Sequence, residues 1–170
     1  PGLDFNFKEL YDILKKNKIS DFQLLLKKAQ QLLEDGANSI ALMLDDLPND
    51  FKNKFGDDFS EGKYHSILAN KLSKELGKNI FFVPRIYADE LIKDGPFYLR
   101  DLSKTINPKI KIFYCGKHVV AKTYKINENV KKILSNEIIF WDNFYANDYC
   151  PRRFFVGVPS GRENIKNIMI

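Results

Sequence analysis

The sequence is poor in the residues that staple a fold, bind metals or enter membranes. It has two cysteines, Cys115 and Cys150, and two histidines, His65 and His118, among 170 residues. Two distant cysteines make no disulfide scaffold and lack metal-ligand spacing, and their scarcity fits a reducing compartment such as the cytoplasm. A histidine-rich zinc site has too few ligands to form. No apolar run approaches the ~20 residues that a membrane-spanning helix needs; the longest, such as Ile40 to Leu44, are strand-sized. The phosphate-cradling P-loop, the G-x-G-x-x-G fingerprint and the G-x-S-x-G elbow are all missing. A dominant charge sign is missing too. The net charge of +5 comes from 27 basic residues set against 22 acidic ones. Lys27, Lys28, Lys71, Lys74, Lys131 and Lys132 recur in predicted helices among interleaved acids, which reads as solvated faces and not as a nucleic-acid-binding stripe. Pro1 stands in place of a methionine and no charged, then apolar, leader follows, so we expect that the natural N-terminus is not in view.

With 44% hydrophobic and 29% charged residues, the chain has the composition of a globular domain able to bury about 70% of its unfolded surface. Short apolar runs at Ile40 to Leu44, Asn79 to Val83, Ile110 to Tyr114 and Glu137 to Trp141 read as buried strands, and Pro1 to Phe5 as the tail of one more. Helical periodicity lies between them. Phe22, Leu25, Leu26, Ala29, Leu32 and Leu33 share a face, opened by Ser20 with Gln23 in a capping box and closed near Gly36. A second helix runs from about Ser60 to Leu76, with Tyr64, Ile67, Leu68, Leu72 and Leu76 inward and Gly77 beyond its end. Shorter ones cover Phe97 to Ile106, with Leu99, Leu102 and Ile106 inward, and Glu128 to Leu134, capped by Asn127, with Val130, Ile133 and Leu134 inward.

Strand and helix alternate at roughly 30 to 40 residues, the mark of repeated βαβ units, a parallel sheet and the α/β class. No linker divides the chain, so residues 1–170 read as one domain. Polar residues follow strand after strand: Asp45 and Asp46, Arg85 and Tyr87, Cys115, then Asp142 and Asn143. In a (β/α)₈ TIM barrel these ends converge on one mouth, and five strands would make an incomplete barrel, since a whole one takes about 250 residues.

Asp45 and Asp46 follow a strand of pure hydrocarbon, where two acids cost stability. Adjacent like charges raise one pKa, which suits a general acid; a loop start, a helix cap or a magnesium site would use the same pair. The long connection from Leu47 to Phe59 reads as a substrate wall or as a tolerated surface insertion. From Trp141 to Tyr149, rings alternate with amides and carboxylates, which suits a sugar's stacking faces and hydroxyls, or a well-packed turn. Cys115 and His118 read as a buried thiol and a loop imidazole, not as a nucleophile and its base.

Taken in order, Pro1-Gly2-Leu3-Asp4, Ala41-Leu42-Met43-Leu44-Asp45-Asp46, Phe82-Val83-Pro84 to Tyr87, Gly116 to Val120, Trp141-Asp142-Asn143 with Asn147-Asp148-Tyr149, and Gly161-Arg162 resemble the catalytic domain of glycoside hydrolase family 84. These are β-N-acetylglucosaminidases, O-GlcNAcases among them. The resemblance implies a (β/α)₈ barrel of which this chain holds about the third to seventh strands, with the first strands and the last one absent. It implies retaining hydrolysis of β-linked N-acetylglucosamine on a glycoprotein or glycan, in which the sugar's own 2-acetamido oxygen attacks to give an oxazoline, with no metal or organic cofactor. By the same matching, Asp45 would orient the acetamido group, Asp46 would be the acid and base, Tyr87 would reach the acetamido group, Trp141 would wall its methyl pocket, Asn143 would bond the acetamido or nearby sugar oxygens, and Asp148 would bind hydroxyls away from the reacting carbon. The chain departs from the family where it reads Val83-Pro84-Arg85-Ile86-Tyr87 for cysteine-proline-threonine-glutamate-tyrosine, and Tyr114-Cys115-Gly116-Lys117 for tryptophan-threonine-glycine-proline. A protein of this fold that binds the sugar without turnover is the alternative.

Overall fold

The computed structural model describes residues 2–4, 19–56, 60–120, 124–146 and 168–169. Six strands form one sheet: β1 (Gly2–Asp4), β2 (Ala41–Met43), β3 (Phe81–Val83), β4 (Lys111–Tyr114), β5 (Ile138–Trp141) and β6 (Ile168–Met169). They are hydrogen-bonded in sequence order, and each neighbouring pair is parallel. A doubly wound sheet reverses its strand order at a switch point. Here the order never reverses, which is how a barrel wall is built. β6 adds one strand to the five read from the sequence; two residues are too few for periodicity to show.

Strand alternation sorts the side chains onto two faces. Leu42, Phe82 and Ile112 sit side by side in register and are fully buried against the helices in the main core. Met43, Val83, Phe113, Ile139 and Trp141 cluster on the opposite face with Ala41 and Phe81, and no helix residue joins them among the described residues. Helices on one face and an aromatic-lined interior on the other is the layout of a barrel wall.

The helices are α1 (Ile19–Glu34), α2 (Phe51–Phe55), α3 (Glu61–Leu76), α4 (Tyr98–Ser103) and α5 (Glu128–Ile133), with a 3₁₀ helix at Asp89–Asp94. α1 buries Phe22, Leu25, Leu26 and Ala29 as its spacing dictates, but it begins at Ile19, so Ser20 lies within its first turn and not at the cap. α3 is capped as expected, with the Ser60 hydroxyl accepting from the Lys63 N–H and Gly77 left-handed at φ 62°. Its buried face differs. Gly62, His65, Ser66 and Ser73 join Leu68, Ala69 and Leu72 inside, while Ile67 is exposed. The small residues allow α4 to approach: a Cβ on Gly62 would lie 2.2 Å from the Tyr98 carbonyl oxygen. In α5, Val130 is buried and Leu134 behind it is too, but Ile133 turns outward.

The connection after β2 is anchored to the core. Leu47 and Phe51 are buried, and Phe51 stacks on Phe55 at 4.4 Å and meets His65 edge-on. The six helix lysines singled out from the sequence are all exposed. One covers the Phe22 ring (Lys71) and another pairs with Glu128 (Lys131), as solvated faces do. No described helix is long and apolar enough to cross a membrane, and no metal-holding group of three or more His, Cys, Asp and Glu side chains occurs among the described residues.

Candidate active site

The inward-facing positions continue past the strand ends. Two residues beyond Met43, Phe113 and Trp141, the same alternation delivers Asp45, Cys115 and Asn143 above the interior cluster. Together with Asp46, Val83, Tyr87, Phe113, Tyr114, Val119, Trp141 and Ala146, they line a cavity of about 170 Å³. Every one of these groups stands at or beyond the carboxyl end of β2, β3, β4 or β5, where barrels place their chemistry.

Asp45 and Asp46 occupy the centre of a tight turn closed by the Leu47 N–H on the Leu44 carbonyl at 3.4 Å. One more rung, the Leu44 N–H to the Val83 carbonyl at 2.9 Å, ties the turn to β3. The pair is therefore held by backbone, with Asp45 partly buried and Asp46 open to solvent.

The opposite wall is a chain of hydrogen bonds. The Trp141 indole N–H donates to Asn143 Oδ1 at 2.8 Å. Asn143 Nδ2 donates to the Val119 carbonyl at 2.9 Å and reaches Cys115 Sγ at 3.4 Å. The Val119 N–H in turn donates to Glu90 Oε1 at 2.6 Å, and His118 Nδ1 meets Glu90 Oε2 at 2.8 Å. Phe113 supports the indole edge-on with ring centroids 5.1 Å apart. Tyr87 enters from the β3 side, its carbonyl accepting the Cys115 N–H at 2.7 Å.

The cavity has a negative field. Burial, then the charges of Asp45, Asp142 and Glu90, push the Cys115 thiol up to about 12. It stays protonated at neutral pH, and His118 is engaged with Glu90 on the surface, so the pair makes no thiolate nucleophile. A site with this field opposes anionic ligands and favours positive charge that develops during a reaction.

Five of the six residues singled out from the sequence converge here: Asp45, Asp46, Tyr87, Trp141 and Asn143. Asp148 lies outside the described residues. Two polar residues that follow strands do not join them. Asp142 has the outward parity of Phe140; it is buried and accepts from the Tyr124 hydroxyl. Arg85, past Pro84 and beyond the strand's alternation, turns to the helices and pairs with Glu61. Among the described residues of the connection from Leu47 to Phe59, none lines the cavity, so the wall expected there is not seen. Val83, Val119 and Glu90 escape sequence reading because they contribute shape or second contacts, which no spacing announces.

The family model for beta-N-acetylglucosaminidase matches residues 1–168. The Protein O-GlcNAcases of Rattus norvegicus and Mus musculus are each 28% identical over 171 residues, covering 95% of this chain. The chain spans 18% of the length of each of them. A solved structure titled as that of CpGH84B superposes with a TM-score of 0.66 at 22% identity, over 91% of this chain and 26% of that one. A mutant of the Thermobaculum terrenum O-GlcNAc hydrolase does so with a TM-score of 0.64 at 22% identity, over 79% and 30%. Motif order, a one-directional parallel sheet with helices outside, and a family match over residues 1–168 agree: the chain belongs to the beta-N-acetylglucosaminidase family, as part of a glycoside hydrolase family 84 catalytic domain.

Proposed function

We propose that this chain carries the acid pair and one wall of the sugar site of a retaining, O-GlcNAcase-like β-N-acetylglucosaminidase, which releases terminal β-linked N-acetylglucosamine from a protein or a glycan. The observation that carries the reading is the meeting of Asp45, Asp46, Tyr87, Trp141 and Asn143 at one cavity. The substrate's acetamido oxygen attacks the anomeric carbon as the glycosidic C–O bond breaks, and an oxazoline forms, an exception to the two-carboxylate schemes. Asp46, solvent-open, protonates the leaving oxygen and then takes a proton from the water that opens the oxazoline, restoring the acetamido group. Asp45 accepts the acetamido N–H and faces the positive charge that builds on the ring, in the field that also raises the Cys115 thiol. Trp141, its N–H already committed to Asn143, offers its ring to the acetamido methyl. The Asn143 amide exchanges its long contact with the Cys115 sulfur for a sugar oxygen. Tyr87 completes the acetamido side, and Asp148 is assigned to the distal hydroxyls.

The test uses the protein extended to its full open reading frame. Asp46→Asn is expected to lose about 10²-fold or more on alkyl glycosides and far less on 4-methylumbelliferyl N-acetyl-β-glucosaminide, whose leaving group needs little protonation. Asp45→Asn is expected to lose about 10²- to 10³-fold on both. Equal losses across leaving groups for Asp46→Asn would remove its acid role. A second reading, sugar binding without turnover, is favoured by Cys115, which lines the cavity where the family reads threonine. N-acetylglucosamine binding in calorimetry with no hydrolysis by the folded long form would establish it instead.

A further inference from the structure

Outside the cavity, Arg85 is the centre of a buried, densely hydrogen-bonded cluster. Arg85 Nε and Nη2 donate to Glu61 Oε1 and Oε2 at 2.5 and 2.6 Å, with side chains 6% and 13% exposed. Nη2 also donates to the Asp94 carbonyl at 3.1 Å, and the Arg85 backbone N–H donates to the Tyr98 hydroxyl at 3.2 Å. Burial pulls the guanidinium down, but the hydrogen bonds and charge of Glu61 outweigh it and hold Arg85 above its ordinary value. Gly95 makes room: a Cβ there would lie 3.0 Å from Arg85 Nη2. The cost of desolvating two charges offsets most of their attraction, so such a pair adds little net stability, whereas a bidentate fork fixes a plane and a direction. One side chain thus ties the exit of β3 to the start of α3 and the end of the 3₁₀ helix, while its own backbone is tied to α4.

What leaves this anchor is Tyr87, two residues on. From its other side, the Tyr87 carbonyl is bonded by the Cys115 N–H at 2.7 Å, and the Asp89 N–H donates to the Gly116 carbonyl at 2.8 Å. Between the two anchors Ile86 and Ala88 are fully buried, which leaves the segment no slack. Neither Arg85 nor Glu61 lines the sugar cavity; both line a separate cleft of about 450 Å³ with Phe97 and Asp101. The pair therefore reaches the cavity most directly through this segment, which it anchors at Arg85. We propose that the Glu61–Arg85 pair is the positioning device for Tyr87, locking residues 84–88 so that the tyrosine stands at the acetamido side of the cavity; this rests on the proposed function for its catalytic consequence.

The test is a double-mutant cycle in the full-length protein. Arg85→Met and Arg85→Lys are each combined with Tyr87 and with Tyr87→Ala, and kcat/KM on an N-acetylglucosaminide is measured well below each variant's Tm. With Tyr87 present, Arg85→Met should lose about tenfold; with Tyr87→Ala, at most about twofold. Arg85→Lys, which keeps the charge and loses the fork, should fall between and serves alone if Arg85→Met does not fold. Equal losses in both backgrounds would make the pair a packing feature only and overturn the proposal. A second readout needs no turnover. In fluorotyrosine-labelled protein, the fluorine resonance assigned to Tyr87 by its loss in Tyr87→Ala should shift or broaden in the Arg85 variants. An unchanged resonance overturns the positioning role. A shifted resonance in a protein that hydrolyses nothing supports that role and overturns the proposed function instead.

Discussion

His65 shows what a single buried group imposes on this protein. It is fully buried, its Nδ1 meets the Tyr98 hydroxyl at 2.8 Å, and its Nε2 finds no partner among the described residues. Burial, with the Arg85 charge added, pushes its pKa down to about 3 from 6.5. The unfolded chain therefore binds a proton between those values that the folded chain refuses. Stability from this group is complete above the unfolded pKa and falls as pH drops toward the folded one. Denaturant unfolding between pH 7 and 5, above most carboxylate titrations, should show stability decreasing with acid by up to about one proton's worth of slope. His65→Asn should remove that slope; a slope unchanged in the variant would place the effect elsewhere. At this scale the sequence was readable where a chemistry-bearing side chain keeps the inward parity of its strand at or two residues past the strand's end, as Trp141, Asp45 and Asn143 do. Arg85 misled for the same reason, because Pro84 ends the alternation and the strand's face no longer predicts the side chain's.

Among the elements, α3 and α4 illustrate how far periodicity reaches. Leu68, Leu72, Leu99 and Leu102 are buried as their spacing predicts. On α3, Gly62, Ser66, Ala69 and Ser73 are buried as well, with Gly62 against the α4 backbone, while Ile67 is left in solvent. Hydrophobicity alone ranks isoleucine over serine and so selects the wrong edge of the helix. α2 and the 3₁₀ helix, each about one to two turns long, fall below the length at which a period can be recognised. Gly62→Ala should destabilise by about 2–3 kcal/mol, because the new methyl meets backbone atoms of α4 that cannot step aside. Gly36→Ala makes the contrast: at φ 99° with nothing within 4 Å, it should cost only the left-handed strain, about 1 kcal/mol. Chemical denaturation of the two variants side by side tests the distinction, and equal losses would refute the close-approach explanation.

As a whole, the described residues form a curved wall with helices on one face. Helices seal the outer side, while Met43, Phe81 and Trp141 on the inner side are only partly buried. Parallel strands are stable when both faces are covered. The isolated 170-residue polypeptide should therefore bind the dye anilinonaphthalene sulfonate at the inner face, and a longer form of the protein should bind much less. Equal fluorescence from both would show that this face is covered within the 170 residues. Five strands and the α/β class were legible because each of those strands carries its own apolar run, and the barrel was legible from the polar residues at their ends and from the family resemblance; the strand order, the sheet's sixth member and the gathering of four strand ends around one cavity arise only from pairing. Trp141 gives this geometry a further use. It is the sole tryptophan of the sequence, pinned by Asn143 and backed by Phe113. In this polypeptide, ultraviolet emission excited at the indole band comes from the wall of this cavity alone, so the site carries its own optical label.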